Sequence, residues 1–299
     1  MKSLLFTGAS GFLGENVKPL LRKTYEVTTA GLTDEDDYKI NLAQEIPAFD
    51  KKYDIILHAA GKAHSVPKTE NEKKVFFQVN FEGTKNLCTG LEKSGLPNSF
   101  IFISTVAVYG CEKGENITEN HPLDGTSPYA LSKKQAEEFL TQWCSKHGVT
   151  LAIIRPSLIA GPNAPGNLGA MVNGIRSGKY LSIAGGKARK SVLMVEDIAN
   201  IIPALAQKGG IYNVCDDTQP TFRQLEILIS HHLNKKLPVN IPYWLAKSIA
   251  IMGDVLGDKA PINSLKLEKI TQSLTFSNEK AKRELSWQPL NVLKYYKIS

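Results

Sequence analysis

Short apolar runs alternate with stretches of helical spacing through the first half of the chain. Leu4-Leu5-Phe6 runs into Thr7-Gly8-Ala9-Ser10-Gly11-Phe12-Leu13-Gly14, after which Val17, Leu20 and Leu21 recur at helical intervals. That pattern predicts a strand, a turn and a helix. Pro19 falls inside the helix; its ring clashes with the carbonyl of Glu15 at a cost of roughly 3 kcal/mol, so a kink is expected there. Further runs at 26–29, 53–57, 100–103 and 150–154 predict four more strands, and residues 75–91 and 128–146 read as long helices between them. Strands that are apolar throughout, alternating with amphipathic helices, imply a doubly wound α/β architecture: a parallel sheet buried on both faces.

After Arg155 the pattern changes. Ala160-Gly161-Pro162-Asn163-Ala164-Pro165-Gly166-Asn167 is a Gly/Pro/Asn-rich loop, followed by short mixed elements. Residues 1–160 are therefore expected to form the sheet domain, with 190–215 a candidate to return to it, and 161–299 to form most of a smaller C-terminal lobe. Helices are expected at 195–206, 222–233 and 243–256. The last is strongly apolar with Lys247 its single basic residue, which favours burial in the smaller lobe over a place at a membrane surface.

Composition narrows the class. The 299 residues are 42% hydrophobic and 22% charged, ordinary globular values that exclude disorder, fibres and a small disulfide scaffold. Basic residues outnumber acidic ones 36 to 29, giving +7 and a pI near 9.0. Most of that charge is scattered, and the densest group is Lys187, Arg189 and Lys190. A nucleic-acid groove needs a longer basic stripe with interleaved aromatics, so a local phosphate clamp is the better reading. Cys88, Cys111, Cys144 and Cys215 stand singly without metal-ligand spacing and read as reduced, packed thiols. The first residues turn polar too soon for a signal peptide, and no run approaches the ~18 apolar residues of a membrane span; a cytoplasmic protein without membrane insertion is expected.

The chemistry begins at Gly8-x-x-Gly11-x-x-Gly14, which follows the first strand and opens the first helix. A helix N-terminus offers free amide N–H groups and partial positive charge, and absent side chains let a pyrophosphate approach the backbone. The acid that would hold an adenosine ribose at the end of the second strand is missing: the chain reads Thr28-Thr29-Ala30-Gly31-Leu32, and Asp34-Glu35-Asp36-Asp37 lies beyond it. The choice between NAD and NADP stays open at this point.

Tyr129 and Lys133, four residues apart, share one face of the helix whose predicted N-cap is Ser127 and first position Pro128. An ammonium one turn from a phenol stabilises phenolate and is expected to lower its pKa, making an acid/base pair; a solvated surface pair is the alternative. Ile103-Ser104-Thr105-Val106-Ala107-Val108-Tyr109-Gly110 places hydroxyls at the C-terminal end of the fourth strand, where ligands bind in open α/β sheets. Thr105 could there meet a substrate oxygen beside Tyr129.

TGASGFLG, LHAAG at 57–61, VNFEGTKNL at 79–87, ISTVAVYG at 103–110, SPYALSK at 127–133 and IIRPSLIAGP at 153–162 together resemble the extended short-chain dehydrogenase/reductase family, especially its nucleotide-sugar epimerases and reductases. The motifs occur in the family's order, and SNEKAKRELSWQP at 277–289 extends the resemblance almost to the end. It implies a Rossmann domain with a C-terminal substrate-binding lobe and a bound NAD or NADP. Thr105, Tyr129 and Lys133 then match the catalytic trio, Lys133 also holding the nicotinamide ribose. Gly8, Ser10, Gly11, Phe12, Leu13 and Gly14 match the cofactor turn; Asn41-Leu42 the pair touching adenine, with Asn in place of Asp; His58, Ala59 and Ala60 the cofactor's lining; Asn80 the supporting asparagine; and Pro156 a further cofactor contact. Asn167, Arg189 and Lys190 match positions that grip the nucleotide diphosphate of a sugar substrate.

Family dehydratases carry Thr-Asp-Glu where this chain has Thr105-Val106-Ala107, so dehydration is disfavoured and 4-epimerisation or 4-keto reduction remains. The alternatives are a reductase of a non-sugar carbonyl and a catalytically silent cofactor sensor. His64 reads as a surface residue rather than a substrate contact, and relatives imply a homodimer through the two long helices.

Overall fold

The computed structural model describes residues 1–63, 65–256 and 263–298. The chain opens with β1 (Lys2–Thr7), α1 (Phe12–Leu21), β2 (Tyr25–Gly31), β3 (Tyr38–Lys39) and β4 (Ile55–His58). Next come α2 (Glu70–Phe77), a π-helical turn at Gln78–Glu82, α3 (Gly83–Ser94), β5 (Ser99–Ile103), a 3-10 turn at Val106–Tyr109, β6 (Gly114–Ile117), α4 (Pro128–His147) and β7 (Thr150–Pro156). β8 (Leu158–Ala160), α5 (Gly166–Arg176), β9 (Leu181–Ile183), β10 (Val192–Met194), α6 (Val195–Lys208) and β11 (Gly210–Val214) follow. The chain closes with α7 (Phe222–His232), β12 (Val239–Ile241), α8 (Tyr243–Leu256), α9 (Ser264–Thr271), β13 (Leu274–Phe276), α10 (Glu279–Leu285) and α11 (Val292–Tyr295).

Seven strands form one parallel sheet in the order β11-β7-β5-β4-β1-β2-β3. The apolar runs are continuous because both faces are covered. Leu4, Phe6, Ile55, Leu57, Ile101 and Ile103 pack with α1 and α6, while Leu5, Ile56, Phe100 and Phe102 pack with α3 and α4. Alternate residues of each strand thus serve opposite cores. Strand order reverses between β1 and β4, leaving a crevice at their C-terminal ends, the usual ligand position in such sheets.

Ser127 caps α4 by accepting from the Ala130 amide at 3.1 Å, Pro128 takes its first position, and Gly148 closes it with φ +66°. α1 runs through Pro19 and stops two residues later, so the proline falls in the last turn. The helix expected at 75–91 is interrupted by the π turn. A separate core of Leu168, Met171, Val172, Leu225, Ile229 and Val292 lies beyond the sheet. Cys88, Cys144 and Cys215 are buried free thiols, whereas Cys111 is only half-buried.

The expectation for 243–256 is corrected. α8 buries Ala246, Ala250 and Gly253, while Tyr243, Trp244, Leu245, Ile249, Ile251, Met252 and Val255 are exposed. Small residues make the contact, and the bulky apolar residues face outward.

Candidate active site

β1 delivers Gly8 to the crevice with φ +78°, a conformation that favours glycine. A Cβ there would lie 2.6 Å from the Ala60 nitrogen, and one on Gly14 would lie 2.4 Å from the Ala9 backbone, so both positions are closed to side chains. Gly11 differs. Its Cβ would meet only the Gly8 carbonyl at 3.5 Å, and Ser10 and Gly11 are exposed. Gly11 is the N-cap of α1 and no side chain caps that end. Phe12 and Leu13, half-buried, complete the first turn. An open cradle ending in uncapped amides fits the pyrophosphate of a dinucleotide.

β4 supplies the other wall through the Ala59-Ala60 backbone. The His58 side chain turns away from it, contrary to the expectation that it lines the cofactor. Its ring is fully buried, with Nδ1 2.6 Å from Thr7 Oγ1 and Nε2 2.9 Å from Thr84 Oγ1, and it stacks on Phe102. Burial, with Lys133 adding to it, pulls His58 down to about 3. It is a neutral packing residue that ties β1 to α3.

Around Gly61, Asn80 and Lys133 converge. A Cβ on Gly61 would come 3.0 Å from Asn80 Oδ1 and 3.1 Å from Lys133 Nζ. Asn80 sits in the π turn, a distortion frequent at functional sites, and is fully buried. It accepts from the Lys62 amide at 2.7 Å and donates to the Lys62 carbonyl at 3.1 Å and to Ser132 Oγ at 2.9 Å, joining the β4 loop to α4. Lys133 Nζ donates to the Ile103 carbonyl at 2.9 Å and lies 4.6 Å from the centre of the Phe102 ring. Burial pulls Lys133 down to about 8, opposed by Glu137.

Thr105 caps the 3-10 turn, its Oγ1 accepting from the Ala107 amide at 3.1 Å, and its hydroxyl is near enough to the Tyr129 phenol to favour the phenolate. Tyr129 is half-buried as a residue, but burial of its oxygen pushes the phenol above its ordinary value and Thr105 draws it back. The expected lowering by Lys133 is therefore not what this arrangement gives: desolvation dominates, and the ammonium is engaged with Ile103. Gly8 closes against Ala60 and Gly61 against Lys133 and Asn80, while Tyr129 and Lys133 follow one another by a turn on α4.

The remaining positions are more dispersed. Asn41 Oδ1 accepts from the Ala43 amide at 3.1 Å, and Leu42, buried, accepts from Asn86 Nδ2 at 2.8 Å. Pro156 ends β7, buried opposite Val214. Asn167 is exposed on the first turn of α5. Arg189, also exposed, donates from Nη1 to the Gln219 carbonyl at 3.1 Å. Lys190 is half-buried, held below its ordinary pKa by burial, with Glu112 opposing and Lys269 adding. His64 lies outside the described residues.

Two features escape the sequence reading. Asp36 folds back onto the end of β2: its Oδ2 accepts from the Thr33 amide at 3.1 Å and hydroxyl at 2.8 Å, and it stands 2.5 Å from where a Gly31 Cβ would be. Asp37 accepts from the Thr29 amide at 2.8 Å. A carboxylate thus reaches the strand end from the following loop. Below the trio lies a buried network. Arg155 donates to Glu137 from Nη2 at 2.6 Å and Nε at 3.1 Å, and to Tyr109 from Nη1 at 3.0 Å. Ser104 also donates to Glu137, and Tyr109 donates to Asn213 Oδ1 at 2.7 Å. Its signals in the sequence are an arginine inside an apolar strand and a glutamate four residues beyond Lys133.

The fold and this crevice define a dinucleotide-dependent enzyme class, and the chain belongs to the NAD dependent epimerase/dehydratase family, whose model matches residues 4–215. It is 32% identical over 303 residues to the N-acetyl-alpha-D-glucosaminyl-diphospho-ditrans,octacis-undecaprenol 4-epimerase of Escherichia coli O157:H7, covering 93% of this chain and 88% of that protein. It is 27% identical over 249 residues to the GDP-6-deoxy-D-mannose reductase of Pseudomonas aeruginosa, covering 76% and 79%. Its fold matches the crystal structure of UDP-glucose 4-epimerase from Thermotoga maritima with a TM-score of 0.74 at 21% identity, covering 99% and 96%. Among the described residues no helix is long and apolar enough to cross a membrane, and no group of three or more His, Cys, Asp or Glu could hold a metal ion.

Proposed function

We propose that this chain is a 4-epimerase of a sugar carried on a diphosphate, with Tyr129 as the proton-handling group and Thr105 and Lys133 as its partners. The observation that carries the reading is the crevice at the strand ends, where the open glycine turn closes on Ala60 and, through Gly61, Lys133 and Asn80 stand on the same wall as the helix that bears Tyr129. A bound nicotinamide ring supplies a reversible hydride acceptor. Tyr129 Oη takes the C4 hydroxyl proton as the carbonyl forms and returns it when C4 is reduced from the other face, so no proton is lost over the cycle. Thr105 holds the sugar oxygen against Tyr129. Lys133, its ammonium on the cofactor side of the crevice, would hold the nicotinamide ribose; Asn80 keeps the β4 loop in register with α4.

Asp36 places negative charge where an adenosine ribose 2′-oxygen would lie, which favours NAD over NADP. Asn167, Arg189 and Lys190 are the diphosphate-binding candidates, the planar arginine fork suiting phosphate. Similarity to a polyprenol-linked epimerase supports a lipid carrier beside the nucleoside one.

The test is turnover by purified protein with no added reduced cofactor, offering UDP-sugars and a polyprenyl diphosphate sugar in parallel. Conversion between C4 epimers without net consumption of NADH or NADPH is expected. A strict stoichiometric need for NADPH would assign a 4-keto reductase instead, the activity named in the Pseudomonas relative.

A further inference from the structure

We propose that α8 is an interfacial docking helix that seats this protein on an anionic lipid bilayer. Among the described residues, α8 has a packed side and an exposed side. Ala246, Ala250 and Gly253, spaced i, i+4 and i+7, form the stripe turned inward, where the alanines pack with Leu267 of α9 and Ile183 of β9. About half a turn round the helix stand Trp244, Ile251, Met252 and Val255, and the exposures of Trp244, Met252 and Val255 are 69%, 72% and 89%. Isolated exposed apolar residues are ordinary, but a contiguous stripe of them marks an interaction site. On the preceding strand, Val239 pairs with Leu181 and both are exposed.

The charge beside this patch selects the occupant. Between 233 and 255 the chain carries Lys235, Lys236 and Lys247 against a single acid, Asp254. Asp254 accepts from the Ser264 amide at 2.9 Å and hydroxyl at 2.6 Å, which holds its carboxylate below the usual range. Lysines flanking exposed Trp, Tyr and aliphatic side chains are the pattern of a helix lying in a headgroup layer: rings and aliphatic stems enter the apolar boundary while the ammonium groups meet lipid phosphate. A second copy of this chain would bring the same lysines against themselves, in a protein whose net charge is already +7. With 14 residues α8 lies on a bilayer rather than across it.

Position adds a consequence that rests on the proposed function. α9, on which α8 packs, carries Lys269, ion-paired to Glu112 at 3.1 Å, and both face Lys190 of the candidate diphosphate clamp. The docked surface is one helix removed from that clamp, so a sugar diphosphate anchored in the same bilayer would be presented beside it.

The experiment uses the full chain and needs no substrate, so its failure is separable from failure of the enzymatic reading. Flotation is measured with vesicles of phosphatidylcholine and phosphatidylglycerol, at low and high salt, together with tryptophan emission. Trp143 and Trp287 are each only 6% exposed, so a shift on adding vesicles reports Trp244. Wild type is expected to float with the anionic vesicles and shift its emission to the blue. Ile251→Ser/Val255→Ser, altering exposed positions only, is expected to keep its circular dichroism and thermal midpoint while losing about tenfold or more in vesicle partitioning. Absence of flotation, or equal flotation of the folded variant, overturns the proposal. A concentration-dependent dimer abolished by the same substitutions, without vesicle binding, overturns it in favour of a second copy.

Discussion

At Tyr129 two opposing influences meet. Burial favours the neutral phenol, whereas proton abstraction needs the phenolate, and the group that opposes burial there is the Thr105 hydroxyl. Tyr129→Phe is expected to lower kcat/KM by roughly 10²–10⁴-fold while leaving NADH binding, followed by its fluorescence, unchanged. Because burial holds Lys133 near 8, its ammonium is lost as pH rises through that value, and activity should fall on the alkaline side there. Glu137 raises Lys133, so Glu137→Gln should move this limb to lower pH, a shift that a purely structural defect would not produce. Asp36→Asn should improve NADPH binding relative to NADH by on the order of tenfold, ~1.4 kcal/mol, read from paired titrations. The sequence singles out Tyr129, Lys133 and Thr105 because their spacing follows the helix repeat and the strand end, and the structure places them on α4 and just beyond β5. Asp36 is not legible there, because a loop of unpredicted path returns it to Gly31, and the inward turn of His58 depends on Thr7 and Thr84, distant in the chain.

The glycine turn separates folding from binding within one element. A methyl on Gly14 would strike the Ala9 backbone, which cannot yield, so Gly14→Ala should cost about 1–3 kcal/mol or more in chemical denaturation. Gly11→Ala has ordinary contacts and should fold normally, yet its methyl would stand in the cradle and weaken dinucleotide binding in the same fluorescence titration. The central strands and long helices announce themselves because each buries a recurring apolar set. β3, with only Tyr38 and Lys39 added to the sheet edge, carries no such signal, and neither does the pairing of β6 with β13, more than 150 residues apart. α8 misleads for a different reason: apolar content alone does not say which side is packed, and here Ala246 and Ala250 make the contact that its larger residues do not.

Across the whole molecule, buried titratable groups tie the sheet and the later elements to pH with opposite signs. His58 falls to about 3 in the folded protein from an ordinary 6.5, so between those values the unfolded chain binds more protons and stability declines as pH falls. Asp197, in the first turn of α6, is pushed by burial up to about 6 from 3.8, although the Leu290 amide at 2.9 Å and Trp287 Nε1 at 3.4 Å bond it. There the folded chain binds more protons, and stability declines as pH rises from 3.8 through 6. Over that shared window the two contributions oppose each other, each with a limiting slope of about 1.4 kcal/mol per pH unit. The difference between each variant and wild type isolates its group. His58→Gln should be most destabilising above pH 6.5, its deficit shrinking as pH falls toward 3. Asp197→Asn should gain on wild type as pH rises through 6. Thermal midpoints across pH 3.5–7.5 test both: parallel curves for His58→Gln and wild type would mean that the imidazole titrates alike in both states, which its two threonine partners and complete burial argue against.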